Sequence, residues 1–195
     1  MLIGELMKVK LDNIAEIKTG YTFRNGLKKY QKGKLGVIQM KDLKDYKIDF
    51  KNIDFITDDS IRENHYLKKN DILFKTRGEI NSTYIFGKDI LAVASAPLIV
   101  LIVKAEDILP EYLNWYLNQK SAKEYYNIIS KGTSQKLISI NNLKEMEIEV
   151  PSKEIQKHIV ELDSLLKKET ETMETIIIKR KNVITQKLLN LIKGD

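Results

Sequence analysis

No cysteine occurs in the 195-residue sequence. That excludes disulfides, thiolate zinc sites and cysteine nucleophiles, and leaves stability to packing. Histidine is almost as scarce. His65 and His158 stand alone, without the two-turn spacing of a metal-binding pair, and read as ordinary surface or packing residues. Long hydrophobic runs are missing too: the most apolar stretch, Ile90 to Val103, is interrupted by Ser95 and Pro97 and falls short of the ~18 to 20 residues that span a bilayer. Met1 to Lys10 has no basic region, apolar stretch and small-residue cleavage site of a secretory signal, so a cytoplasmic location with no membrane association is expected. Glycine-rich phosphate loops, dinucleotide fingerprints, serine-nucleophile elbows and the Asn/Asp-Pro-Pro-aromatic signature of adenine methyltransferases are all absent. Glu16-Ile-Lys18 matches the tail of a nuclease-like carboxylate and lysine arrangement that holds Mg²⁺, but no suitably spaced acid precedes it, Glu5 included. The chain is therefore expected to be non-catalytic, with no metal or cofactor of its own.

What is present fits an ordered protein. The length suits one domain with a real core plus an appended element, and 43% hydrophobic with 31% charged residues is the balance of a folded chain. The net charge of +6 permits contact with nucleic acid or another acidic surface. Its distribution says more than its sum: Lys18, Arg24, Lys28, Lys29, Lys32, Lys34 and Lys41 stand between Ile17 and Lys41 with no Asp or Glu among them.

Along the chain, Val9 to Lys18 reads as a short strand or helical turn. Gly20 to Gly36, which carries four of the nine glycines and the basic cluster, reads as an exposed loop. A core strand is expected over 36–40, a half-buried strand with Tyr46, Ile48 and Phe50 over 45–56 with a hairpin as the alternative, and a turn at Lys69-Asn-Asp71 leading into Ile72-Leu-Phe74. Lys75-Thr-Arg77-Gly78 forms a second basic turn. Strands follow at 84–86, 90–94 and 98–103. Pro110 then opens a helix carrying Leu113, Tyr116, Leu117 and Ile128 as its apolar positions, with Trp115, Tyr125 and Tyr126 in its core or on its surface, and Gly132 ends it. Residues 131–135 form a loop, 143–150 a final strand, and Pro151 marks the boundary. The fold class is α+β: a globular domain over 1–150 and a long helix over 151–195.

Ser152 is a good N-cap, with Glu154 favourably placed in the first turn, and no Gly or Pro interrupts the sequence from there to Ile192. About forty residues at ~1.5 Å rise make a rod of roughly 60 Å. Ile155, Leu166, Ile177 and Leu188 recur every eleven residues, as do Leu162, Met173 and Ile184, with Ile159 beside them. That repeat, ~3.67 residues per turn, predicts a nearly straight or slightly right-handed coil. The stripe needs a partner helix, in a second copy or a companion protein, unless the helix folds back on its own domain.

The segments Val9-Lys-Leu-Asp-Asn-Ile-Ala-Glu-Ile-Lys-Thr-Gly20, Lys69-Asn-Asp-Ile-Leu-Phe-Lys-Thr-Arg-Gly78, Gly132-Thr-Ser-Gln-Lys136 and Pro151-Ser-Lys-Glu-Ile-Gln-Lys-His-Ile159 occur in an order that resembles type I restriction-modification specificity subunits. The likeness covers nearly the whole chain. It implies a target recognition domain of mixed α/β structure that reads half of a split DNA site, and a long helix that sets the distance to the other half. Typical members carry two such domains and two helices; this sequence carries one of each and no internal repeat. The resemblance further implies an antiparallel helix pair, so a homodimer through the C-terminal helix is expected, reading an interrupted palindrome in double-stranded DNA. Methyl transfer with S-adenosylmethionine would belong to a methyltransferase partner, and cleavage with ATP and Mg²⁺ to a restriction partner.

Phosphate contacts position and base-edge contacts specify. Lys18, Lys28, Lys29, Lys32, Lys34, Lys75 and Lys136 form the expected phosphate set; each reads equally well as a solvated surface charge. Arg24, Tyr30, Arg77, Asn81, Ser82, Tyr84, Thr133, Ser134 and Gln135 are the candidate base readers, arginine suiting guanine and the amides adenine; Thr133 and Gln135 suit loop-stabilising roles as well. The helix residues Ile155, Ile159, Leu162, Leu166, Met173, Ile177, Ile184 and Leu188 form the expected dimer seam. Two competing readings remain. In one, a truncated specificity protein acts as a helical interaction module that modulates a full-length subunit; in the other, Glu16 and Lys18 serve a small Mg²⁺-dependent nuclease.

Overall fold

The computed structural model describes residues 7–24, 26–27, 33–44, 47–57, 61–77, 81–130 and 138–193. The chain forms two compact units, Met1–Gln156 and Lys157–Asp195. In chain order the first unit carries β1 (Met7–Lys10), a helical turn α1 (Leu11–Ile14), β2 (Ala15–Thr19), β3 (Leu35–Ile38), β4 (Leu43–Lys44), β5 (Lys47–Ile48), β6 (Asp54–Ile56), β7 (Ile72–Lys75), β8 (Ser82–Ile85), β9 (Ala92–Ala94) and β10 (Ile99–Val103). Then come α2 (Pro110–Leu117), α3 (Lys120–Ile129), α4 (Ile140–Lys144), β11 (Glu147–Val150) and the start of α5 (Lys153–Lys193). This is the expected α+β architecture with a long C-terminal helix.

The main sheet has the order β2-β10-β7-β8 and is antiparallel throughout. Its inner strand β10 is the apolar run Ile99-Val-Leu-Ile-Val103, whose first three residues are buried; a strand flanked on both sides needs no polar alternation. A second sheet, β6-β3-β9, joins β3 to β9 in parallel, and β1 pairs with β11 to bring the two ends of the domain together. The larger core cluster gathers Ile38, Leu73, Phe86, Leu98 and their neighbours, and a smaller one gathers Leu35, Val37, Ile56, Ile61 and Val93.

β7 starts where the sequence demands. Asn70 takes a left-handed conformation, φ 74°, which asparagine tolerates better than most residues. The buried Asp71 carboxylate accepts the Lys68 N–H at 2.8 Å, and the Asp71 N–H donates to the Lys68 carbonyl at 3.0 Å. At Gly20 the chain crosses Ser95 so closely that a Cβ would lie 2.7 Å from the Ser95 carbonyl carbon, so only glycine fits.

Several elements depart from expectation. The helix opened by Pro110 breaks after Leu117, because Asn118 is used to cover the edge strand β8. The Thr83 N–H donates to Asn118 Oδ1 at 2.9 Å, and Asn118 Nδ2 donates to the Thr83 carbonyl at 3.0 Å. The side-chain amide thus takes the place of a neighbouring strand. Ile128 is 64% exposed rather than core, whereas Tyr126 is buried with its ring edge-on to Phe74, 5.2 Å between centroids. The stretch expected as one strand over 45–56 is two short strands around an aspartate turn, in which the Asp49 carboxylate accepts from Lys51 N–H and Asn52 Nδ2 at 3.2 and 2.8 Å; Tyr46 lies outside the described residues. Leu143 belongs to α4, whose N-cap Ser139 accepts the Asn142 N–H at 3.2 Å, and the final strand begins only at Glu147.

The start of α5 is held by side chains. Ser152 Oγ accepts the Ile155 N–H at 3.5 Å. Gln156 is fully buried: its Oε1 accepts the Leu109 N–H at 2.9 Å, and its Nε2 donates to the carbonyls of Asp107 and Pro151, each at 2.9 Å. In the second unit, Thr170, Thr172 and Thr175 return their hydroxyls to the carbonyls four residues back, at 2.7 to 2.9 Å, so their polar groups are satisfied within the helix. No helix among the described residues is long and apolar enough to cross a membrane.

Candidate nucleic-acid interface

Strand register gathers the basic segments at one end of the main sheet. Thr19 faces Ile99, Ile99 faces Phe74, and Phe74 faces Thr83, so these four residues form a row across all its strands. One row beyond, Gly20 donates its N–H to the Leu98 carbonyl at 2.8 Å and Lys75 faces Ser82. Beyond that row β2 leaves into the Tyr21–Arg24 segment, and β7 leaves into Thr76 and Arg77. The Thr76 hydroxyl donates to the Pro97 carbonyl at 2.9 Å, tying this turn to the one entering β10. The Ile138 N–H donates to the Thr76 carbonyl at 3.4 Å, which brings the segment following the 132–136 glycine loop to the same edge. Three segments far apart in sequence therefore converge.

The described start of the basic segment is anchored. Tyr21, Phe23 and Leu27 are partly buried against the smaller core cluster, while Arg24 and Gly26 are exposed. Alternation of this kind holds the backbone down and leaves the arginine outward. Arg24, Lys34 and Arg77 are exposed, Lys75 is half-buried, and Asn81 Nδ2 donates to the Lys75 carbonyl at 3.1 Å, closing the β7–β8 turn. Lys34 stands at the start of β3, its N–H on the Ile56 carbonyl at 3.1 Å, one strand length from the Ser95 and Tyr21 end of that sheet. Lys18 is paired with Glu16 at 3.0 Å, and Lys104 lies 3.9 Å from the same carboxylate. The hydrogen-bonded Lys18 ammonium holds the Glu16 carboxyl below its usual range. Lys28, Lys29, Tyr30, Lys32, Thr133, Ser134, Gln135 and Lys136 lie outside the described residues.

Two candidate base readers need correction. Ser82 and Tyr84 are each only 4% exposed, and Ser82 Oγ donates to the Tyr84 hydroxyl at 3.0 Å. Because α2 packs on β8, this edge strand is buried on both faces, and the two side chains build core. Two residues not singled out from sequence stand at the edge instead. Tyr21 meets Phe23 and His65 edge-on, at 4.9 and 5.2 Å between ring centroids, beside a small pocket lined by Lys18, Asn64, His65 and the buried Asp71. Burial pushes the Asp71 carboxyl above its usual range. The sequence signal for this cluster was slight: an aromatic at alternate positions directly after Gly20. Among the described residues no group of three His, Asp or Glu side chains is placed to hold a metal ion.

The helix stripe is uncovered. Ile155, Leu162, Leu166, Met173, Ile177, Ile184 and Leu188 are 45 to 67% exposed, and Ile159 is half-buried.

One known family covers both the sheet domain and most of the long helix. Residues 4–182 match the family model described as the type I restriction modification DNA specificity domain. The chain belongs to that family. It is 28% identical over 186 residues to the type I restriction enzyme MjaIX specificity subunit of Methanocaldococcus jannaschii, covering 87% of this chain and 41% of that one. Its fold matches a chain from a structure of type I restriction-modification system assembly and conformational transition, with a TM-score of 0.68 at 16% identity over 89% of this chain and 41% of the other. The HsdS subunit from Thermoanaerobacter tengcongensis matches with a TM-score of 0.65 at 16% identity, over 89% and 40% of the two chains. The S subunit from M. genitalium matches with 0.58 at 22% identity, over 93% and 45%. The chain thus spans about two-fifths of the length of these relatives.

Proposed function

We propose that this chain reads one half of a split DNA site as a specificity subunit, residues 1–150 serving as target recognition domain and 151–195 as the helix that sets the spacing. The observation that carries this reading is the convergence of the Tyr21–Arg24 and Thr76–Arg77 segments and of Ile138 on one sheet edge. Side chains on loops held by a rigid sheet are well placed to enter a groove, with lysines on the phosphates and Arg24, Arg77 and Asn81 toward base edges. The chemistry falls to partners: a methyltransferase subunit using S-adenosylmethionine, and a restriction subunit using ATP and Mg²⁺. This chain directs them and acts in the cytoplasm without a cofactor.

The exposed helix stripe supports a homodimer, and a two-fold reader matches an interrupted palindrome, the spacer following helix length. The test is duplex binding as a function of salt. Alanine at a phosphate lysine such as Lys34 lowers the salt slope by about one unit on every sequence. Alanine at Arg24 or Arg77 instead costs ~1 to 3 kcal/mol on the cognate duplex and relaxes one position. If all these variants bind like the parent chain, the interface has been misplaced.

A further inference from the structure

Resting on the homodimer reading above, and on the antiparallel helix pair that the family resemblance implies, we propose that the two α5 helices pair in one fixed register, with the two-fold axis at the level of Thr175. The stripe fits this alignment, and because it repeats every eleven residues it also fits alignments slid by eleven; charge chooses among them. With Thr175 at the axis, Leu162 stands opposite the partner's Leu188, Leu166 opposite the partner's Ile184, and Met173 opposite the partner's Ile177. Each layer pairs one of the two eleven-residue series with the other, and every one of these side chains is exposed in the single chain and requires cover.

Charge gives the direction independently. All six helix acids, Glu154, Glu161, Asp163, Glu169, Glu171 and Glu174, precede Thr175, where they outnumber Lys153, Lys157, Lys167 and Lys168, whereas Lys179, Arg180, Lys181, Lys187 and Lys193 follow it with no acid among them. A parallel pair sets each block against its own copy. The antiparallel pair sets acid against base, and in this register Glu169 lies beside the partner's Arg180 on the same flank of the seam, twice by symmetry. Other registers lose this match. Sliding by seven residues in one direction places Leu162 opposite the partner's Lys181; sliding by eleven in that direction sets Glu169 beside the partner's Glu169, and by eleven in the other sets Arg180 beside the partner's Arg180. A lysine against the apolar stripe disfavours the first, and like charges disfavour the other two.

The absence of cysteine makes the test clean, since only introduced thiols can cross-link. Full-length Leu162→Cys and Leu188→Cys chains, mixed and oxidised, are expected to form a disulfide-linked dimer, while neither chain alone does. Self-linkage of Leu162→Cys overturns the antiparallel direction, and linkage of Leu162→Cys with Ile177→Cys overturns the register. Sedimentation of the parent chain separates the two levels: a monomer removes the homodimer itself, whereas a dimer without the Leu162 to Leu188 link removes only the alignment. Glu169→Arg is expected to weaken association roughly tenfold, and Glu169→Arg with Arg180→Glu in one chain to restore it. No weakening by the single change, or no restoration by the double, contradicts the charge argument.

Discussion

Asp71 puts a carboxylate into the core beside the proposed DNA-binding edge, and Asp42 does the same beneath β4; desolvation raises the pKa of both. An acid whose folded pKa lies above its unfolded value binds protons more tightly in the folded state. The stability it contributes is present below the unfolded pKa and is lost as pH rises through the folded one. Asp71→Asn keeps an oxygen to accept the Lys68 N–H and cannot ionise, so its melting temperature should gain on the parent chain between about pH 3 and pH 7. An unchanged difference at the two pH values would show that Asp71 is solvated. Tyr84 is the contrasting residue. As core, Tyr84→Phe should cost ~1 kcal/mol of stability through the lost Ser82 hydrogen bond and leave the DNA preference intact. A change in the preferred bases with unaltered stability would return Tyr84 to the readers. Sequence pattern misplaced Ser82 and Tyr84 because polar residues on a short strand suggest a wet face, and nothing local announces that α2 will cover it.

At the scale of elements, legibility followed the range of the interactions. The long helix could be read directly: Ser152 caps it, no Gly or Pro interrupts it, and its apolar series is regular. The turn at Lys69 to Asp71 was legible because its hydrogen bonds join neighbours. The break between α2 and α3 was not, since Asn118 bonds to Thr83, 35 residues away. Removing that amide strips the outer edge of β8 of its partners, so Asn118→Ala should lower unfolding free energy by ~2 kcal/mol, measured by urea titration. Gln156 is the second such device. Gln156→Ala leaves the Leu109 N–H without its acceptor in a fully buried site and should cost ~1 to 3 kcal/mol. A denaturation midpoint equal to that of the parent chain would mean that water replaces the glutamine. The convergence of the basic segments was only half visible, because register is what makes residues 20, 76 and 138 neighbours, and register is set by the sheet rather than by any of the three segments.

The whole molecule carries the sheet edge proposed to meet DNA in one compact unit, and most of a helix whose apolar stripe lies open in the other. A reader of half a site gains affinity and symmetry when a second copy supplies the other half. Family membership rests on the match over residues 4–182; the two-fold action is the part that solution work must establish. Selection of bound duplexes from a random-sequence library by the purified chain is the most direct measurement. The account predicts enriched duplexes that carry one short motif twice, inverted, across a gap of constant length. Enrichment of no sequence, or of a single motif without its inverted copy, would contradict it.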